Sequence, residues 1–311
     1  MKINGETRLA GIIGHPLTYT LSPAMHNAAF ERLNMNFAYV PLIVGPESLY
    51  EAVRGLRALG FIGVNVTMPH KETVLPFMDD VASYAEMVGA VNTIHIKDGR
   101  ITGYNTDGRA FIASLESDGG FDPAGKSVVI LGAGGAARSV AASLCLAKAR
   151  CLTIVNRSIE RAQALVETMS MRFAGCSLVA MTPTDAAVEK AVKSSDLLVS
   201  AIPVGLDATE LPPALQFVSK KQLVFDLVYT PAKTPVVEAA EAKGARGING
   251  LGMLVYQGAN AFEIWTQRTP PVDVMLEAAR EALSSDTKEE PARSNPVDEL
   301  AGLLDGASGS D

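Results

Sequence analysis

The sequence predicts an α/β protein made of two α/β domains with a cleft between them. Three observations carry that expectation. Short apolar runs alternate with longer helix-patterned stretches, as βαβ units require. The alternation starts afresh after the loop Gly119–Gly125. The chain has 311 residues, about twice the usual domain length.

In the first third, Leu9–Ile13, Phe37–Ile43 and Phe61–Val66 have the composition of strands, with helices expected near 23–34 and 46–59. Ser22-Pro23 supplies a helix N-cap and a residue pre-set for the first helical position. Asn92–Tyr104 has the pattern of a hairpin turning at Lys97-Asp-Gly-Arg100, because Asp-Gly tolerates the left-handed conformations of a tight turn. A second series of strands is expected at Ser127–Leu131, Cys151–Val155, Leu197–Ser200 and Leu223–Leu227, with helical patterns between them. The boundary between the two series falls near Asp107–Asp118. After Gly250 the pattern is helical through about Leu283, broken at Pro270-Pro271.

Composition narrows the function. With 48% hydrophobic and 20% charged residues the chain is globular. Twenty-seven basic against thirty-four acidic side chains give −7, which offers no basic face for a nucleic-acid backbone. Residues 286–311 carry seven acids against Lys288 and Arg293 and have the composition of a disordered acidic tail. Cys145, Cys151 and Cys176 form no CxxC, so neither a disulfide framework nor a metal site is indicated, and buried thiols are expected. No stretch has the length of a membrane span and no signal segment is evident, which makes the cytoplasm the expected location.

The chemistry begins at Val128-Val-Ile-Leu-Gly-Ala-Gly-Gly-Ala-Ala137, a buried strand running through GxGxxA into a helix. Gly132 permits the tight turn, Gly134 lets the backbone approach a pyrophosphate, and Ala137 allows close packing of helix on strand. Ala133, Gly135 and Ala136 complete a Rossmann-type nucleotide loop whose helix N-terminus favours anions. At the end of the next strand an NAD site usually has an acid for the ribose 2′-hydroxyl. Here Asn156 is followed by Arg157, Ser158 and, one helical turn on, Arg161. Guanidinium groups without a carboxylate predict NADP(H).

In the first domain, Asn65-Val-Thr-Met-Pro-His-Lys71 sets a lysine just beyond a strand, and Gly103-Tyr-Asn-Thr-Asp107 sets a carboxylate at the domain junction. Taken alone, Lys71 reads equally as a surface lysine and Asp107 as a helix N-cap.

Together these segments resemble the shikimate dehydrogenase family over residues 8–285. The matching motifs are Gly14-His-Pro-Leu-Thr-Tyr-Thr-Leu-Ser-Pro23, Asn65–Lys71, Gly89-Ala-Val-Asn-Thr93, Gly103–Asp107, Gly132-Ala-Gly-Gly-Ala136, Asn156-Arg-Ser158 and Gly250-Leu-Gly-Met-Leu-Val-Tyr-Gln257. The resemblance implies NADP-linked interconversion of 3-dehydroshikimate and shikimate, on the route to aromatic amino acids. Lys71 and Asp107 are implied as the catalytic pair. Thr20, Ser22, Thr67 and Tyr229 are implied around the substrate carboxylate, Asn92 and Gln257 at the ring hydroxyls, and Gly250 beside the cofactor. It also implies a discontinuous substrate-binding domain, 1–107 with 251–285, around a nucleotide domain at 108–250. The expected assembly is a monomer or homodimer binding a small molecule.

The chain departs from the family pattern at Thr20, where relatives have a serine, and at Ala201-Ile-Pro203, where they have a polar stretch. Quinate or an amino-substituted ring therefore stays open as substrate, and a noncatalytic NADP-responsive protein is the reading from another class. His70 and Tyr256 are read as packing residues.

Overall fold

The computed structural model describes residues 3–17, 20–204 and 210–286; the acidic segment beyond Asp286 lies outside them. The first half contains β1 (Arg8–Gly14), α1 (Ser22–Arg32), β2 (Phe37–Ile43), α2 (Leu49–Ala58), β3 (Phe61–Val66), β4 (Asp80–Val81), α3 (Ser83–Val88), β5 (Thr93–Lys97) and β6 (Arg100–Tyr104). Its sheet has the order β2-β1-β3-β5-β6-β4, parallel from β2 to β3 and antiparallel through the β5–β6 hairpin. Asp98 and Gly99 at the hairpin turn both have positive φ, 51° and 76°, as an Asp-Gly turn of this twist needs.

Helix α4 (Asp107–Ser117) leads into the second sheet: β7 (Ser127–Leu131), α5 (Gly135–Leu146), β8 (Cys151–Val155), α6 (Ile159–Ser170), β9 (Ser177–Met181), α7 (Ala187–Ser194), β10 (Leu197–Ser200), β11 (Leu223–Asp226), α8 (Pro235–Ala242) and β12 (Arg246–Ile248). The order is β12-β11-β10-β7-β8-β9 and every pairing is parallel. Strand order reverses between β7 and β10, the switch point at which doubly wound sheets open a ligand crevice beyond the strands' carboxyl ends.

Alternation in the strands explains the layers. On β7, Val128 and Ile130 pack with α4 and α5, whereas Val129 and Leu131 pack with α7 and the residues around Leu215. On β1, Ala10 and Ile12 join one core and Ile13 the other. The last helices, α9 (Leu251–Thr266) and α10 (Val272–Asp286), do not extend the second sheet. Phe262 and Trp265 of α9 and Met275 of α10 enter the core formed by Ala10, Met25 and Phe30, and Trp265 Nε1 donates to Ile94 O at 2.9 Å. Cys145 and Cys176 are buried free thiols and Cys151 is half-buried.

Two capping expectations need correction. Leu21, not Ser22, is the N-cap of α1, and no side chain caps it; the Ser22 N–H instead points back to Thr20 Oγ1 at 3.3 Å. Asp107 is likewise the first residue of α4 rather than its cap, which is Thr106. Both side chains are thereby spared from capping.

Candidate active site

The strand ends of the first sheet gather the polar residues. All six residues of β3 are buried, and the chain turns sharply after it. The turn is tied to β1, with Thr67 N donating to Ile13 O and His15 N to Met68 O. Lys71 lies in this turn, and its carbonyl accepts from Val91 N at 2.7 Å, one residue before Asn92. His70 is buried with Nε2 2.6 Å from Val44 O.

Lys71 Nζ donates to Asp107 Oδ2 at 2.6 Å. The two side chains are 17% and 5% exposed, so the ammonium is reachable while the carboxylate is enclosed. Asn92 Nδ2 fixes the other carboxylate oxygen, Asp107 Oδ1, at 2.8 Å, and also faces Thr106 Oγ1 at 2.8 Å and Gln257 Oε1 at 3.4 Å. In return, Thr106 N donates to Asn92 Oδ1 at 2.7 Å. Lys71, Asn92, Asp107 and Gln257, drawn from four separated segments, thus form one network.

Residues that the sequence reading did not single out hold this network from behind. Tyr39 OH donates to Asn65 Oδ1 at 2.7 Å, and Asn65 Nδ2 reaches Thr93 Oγ1 and Asn92 O. Asn105 Oδ1 accepts from Asp107 N, while its amide donates to Ser139 Oγ of α5 and so joins the two sheets' units. A signal existed: an asparagine inside a wholly apolar strand, as Asn65 is, demands a buried partner.

Of the remaining first-unit positions, Ser22 is buried and the hydroxyl of Tyr39 lies beside it. Thr67 follows Asn65 by two residues, and its Cγ2 crowds Gly14. Tyr229 packs with Leu251 and Leu254 against the α1 core, and burial pushes its hydroxyl up to about 12. Gly250 is buried against Leu227, with its N–H on Val228 O.

The nucleotide loop lies at the switch point. Gly132 has φ +110°, a conformation closed to most L side chains, and a β-carbon there would meet Ala201 O at 3.0 Å. Gly134 has open space where its β-carbon would be, room for a ligand phosphate to approach the backbone. Ala133 is buried, Gly135 opens α5 and Ala136 follows it. At the end of β8, Asn156 Nδ2 donates to Ser158 O, and Ser158 Oγ caps α6 by accepting from Arg161 N. Arg157 and Arg161 are exposed, with no acid at the strand end. A doubly wound sheet with its anion-favouring loop beside an ammonium held by a carboxylate defines the class of two-domain, nucleotide-linked oxidoreductases.

Residues 12–94 match the family described as shikimate dehydrogenase substrate binding domain, 116–227 that described as shikimate / quinate 5-dehydrogenase, and 250–280 the shikimate 5′-dehydrogenase C-terminal domain. The chain is 45% identical over 286 residues to the shikimate dehydrogenase (NADP(+)) of Methanopyrus kandleri, covering 91% of this chain and 98% of that one. Among solved structures it resembles the Thermus thermophilus shikimate 5-dehydrogenase in complex with NADP(H) and shikimate, at TM-score 0.78 and 37% identity over 88% of this chain and 99% of that one. It also resembles the quinate dehydrogenase of Corynebacterium glutamicum in complex with NAD, at TM-score 0.80 and 30% identity over 88% and 99%. The chain belongs to the shikimate dehydrogenase family.

Proposed function

We propose that this chain is an NADP-dependent shikimate dehydrogenase that reversibly reduces 3-dehydroshikimate to shikimate, with Lys71 and Asp107 as its acid–base pair. The observation that carries the reading is the 2.6 Å contact of Lys71 Nζ with Asp107 Oδ2, made by a lysine whose stem lies against the first residue of the nucleotide-loop helix.

The residues fit the cofactor: Gly132 turns the chain, Gly134 leaves the backbone open, and Arg157 and Arg161 offer guanidinium to a 2′-phosphate. Bound there, NADPH supplies the hydride. Lys71 Nζ then gives a proton to the oxygen of the reduced ketone, and takes it back in the oxidative direction. General acid–base help of this kind is worth about 10² to 10⁴-fold. Asp107, immobilised by Asn92, holds the ammonium at the reacting oxygen. Asn92 and Gln257 offer amides to the ring hydroxyls, and Thr20, Ser22, Thr67 and Tyr229 offer hydroxyls to the carboxylate. In this reading 1–107 with 251–285 form the substrate unit and 108–250 the cofactor unit, in a cytoplasmic monomer or homodimer.

Quinate is the second substrate to test, favoured by the likeness to a quinate dehydrogenase. NADP⁺ reduction is followed by absorbance with shikimate and then with quinate, each repeated with NAD⁺. Efficient turnover of shikimate with NADP⁺ is the expected result; activity on neither acid would refute the proposal.

A further inference from the structure

Immediately after Lys71, Glu72 reaches across to the nucleotide unit. Its Oε2 lies 3.3 Å from Arg138 Nε on α5, and its Oε1 lies 3.8 Å from Arg161 Nη2 on α6. The three side chains differ in exposure: Arg138 is 17% exposed, Glu72 36% and Arg161 63%. Arg138 is therefore the closer and better enclosed partner, held to the carboxylate by charge rather than by a hydrogen bond, since its Nε makes none. Arg161 is the exposed one, in a longer pair of the kind that contributes little stability.

We infer that Glu72 is a specificity-determining residue that competes with the cofactor's 2′-phosphate for Arg161. This inference rests on the NADP reading above, in which Arg157 and Arg161 bind that phosphate. A phosphate arriving at Arg161 must displace the guanidinium from Glu72 Oε1. It must also settle near the negative charge of Glu72, which lies in an ion pair with Arg138. Both effects oppose a ligand that bears a 2′-phosphate, and neither touches one that bears a hydroxyl there. The affinity for NADP is thereby held below what two arginines alone would provide, which eases release of the oxidised cofactor after turnover.

The test measures dissociation constants, without turnover, for NADP⁺, NAD⁺, adenosine 2′,5′-bisphosphate and 5′-AMP, by calorimetry on the wild type, Glu72→Gln and Glu72→Ala. Both substitutions are expected to tighten the two 2′-phosphorylated ligands by about two- to fivefold, the range of an exposed ion pair, and to leave NAD⁺ and 5′-AMP unmoved. In an Arg161→Ala background the gain should shrink to the part due to direct repulsion by Glu72, since the competition for Arg161 is then gone; a gain as large as in the wild-type background would overturn the competition. Equal shifts for phosphorylated and unphosphorylated ligands, no shift, or weaker NADP⁺ binding would overturn the inference while leaving the NADP reading intact. A wild type that binds the phosphorylated ligands no better than the others would overturn both.

Discussion

The stem of Lys71 lies across Gly135: a β-carbon on that glycine would come within 3.1 Å of Lys71 Cβ and 3.4 Å of Lys71 Cδ. The residue that opens α5 in the nucleotide unit and the lysine of the facing unit are thus fitted to each other. Gly135→Val should push the ammonium off Asp107. Because a misplacement of about 1 Å can lower rates about a hundredfold, kcat is expected to fall at least about tenfold. Unchanged kcat with normal folding would show that the contact is incidental.

On the proposed mechanism, Lys71→Ala removes the proton donor and leaves the proposed binding groups in place. Turnover with shikimate and NADP⁺ should fall by about 10² to 10⁴-fold with little change in KM. Steady-state kinetics decide the matter, and a raised KM with intact kcat would make Lys71 a binding residue only.

Asn92 is 2% exposed and faces Thr106, Asp107 and Gln257 at once. Asn92→Ala leaves buried polar groups unpaired, each costing about 1–3 kcal/mol. Thermal unfolding should shift down by several degrees and kcat/KM should fall with it. A variant with normal Tm and normal activity would mean the network is dispensable.

Arg157 is exposed at the end of β8, where no ion pair engages it among the described residues. Arg157→Ala should weaken NADP⁺ binding about ten- to a hundredfold, the range of one charged hydrogen bond, and leave NAD⁺ nearly unchanged. Equal weakening of both would assign Arg157 to the shared part of the nucleotide.

His26 is fully buried, stacked on Tyr39 at 4.4 Å, and neither ring nitrogen has a hydrogen-bond partner. Burial pushes its imidazole from 6.5 down to about 3, so the folded form stays neutral while the unfolded chain takes up a proton below pH 6.5. The folded pKa is the depressed one, so this stability is complete above about pH 6.5 and drains away as pH falls toward 3. At pH 5 the loss is about 2 kcal/mol. Denaturant titrations at pH 7 and pH 5 should show that extra loss in the wild type and not in His26→Phe; equal losses would refute it.

The sequence made the long apolar strands and the nucleotide loop legible, because burial on both faces of β7 and β8 leaves continuous Val, Ile and Leu runs. It hid β9, β12 and β4. Ser177–Met181 is an edge strand with mixed exposure, and Arg246–Ile248 and Asp80–Val81 are three and two residues long, too short for any period to emerge. Lys71 and Asp107 were legible as a pair only through resemblance, since thirty-six residues separate partners that the fold brings to 2.6 Å. Ser22 was misplaced as a cap because Ser-Pro marks a helix start without saying which residue bears the first turn. Glu72 and Arg138 left no signal, for a charge in a turn and one on a helix look like solvated surface until the two elements face each other.

The chain passes into the second sheet's unit through α4 and returns through Gly250, and these two crossings touch: at Gly252 a β-carbon would collide with Asp118 Oδ2 and crowd Ser114 Oγ. A doubled spine of this kind keeps the halves from drifting apart. Nicking either crossing alone would leave the other as tether, so the lysine and the nucleotide loop would still be carried on one connected molecule.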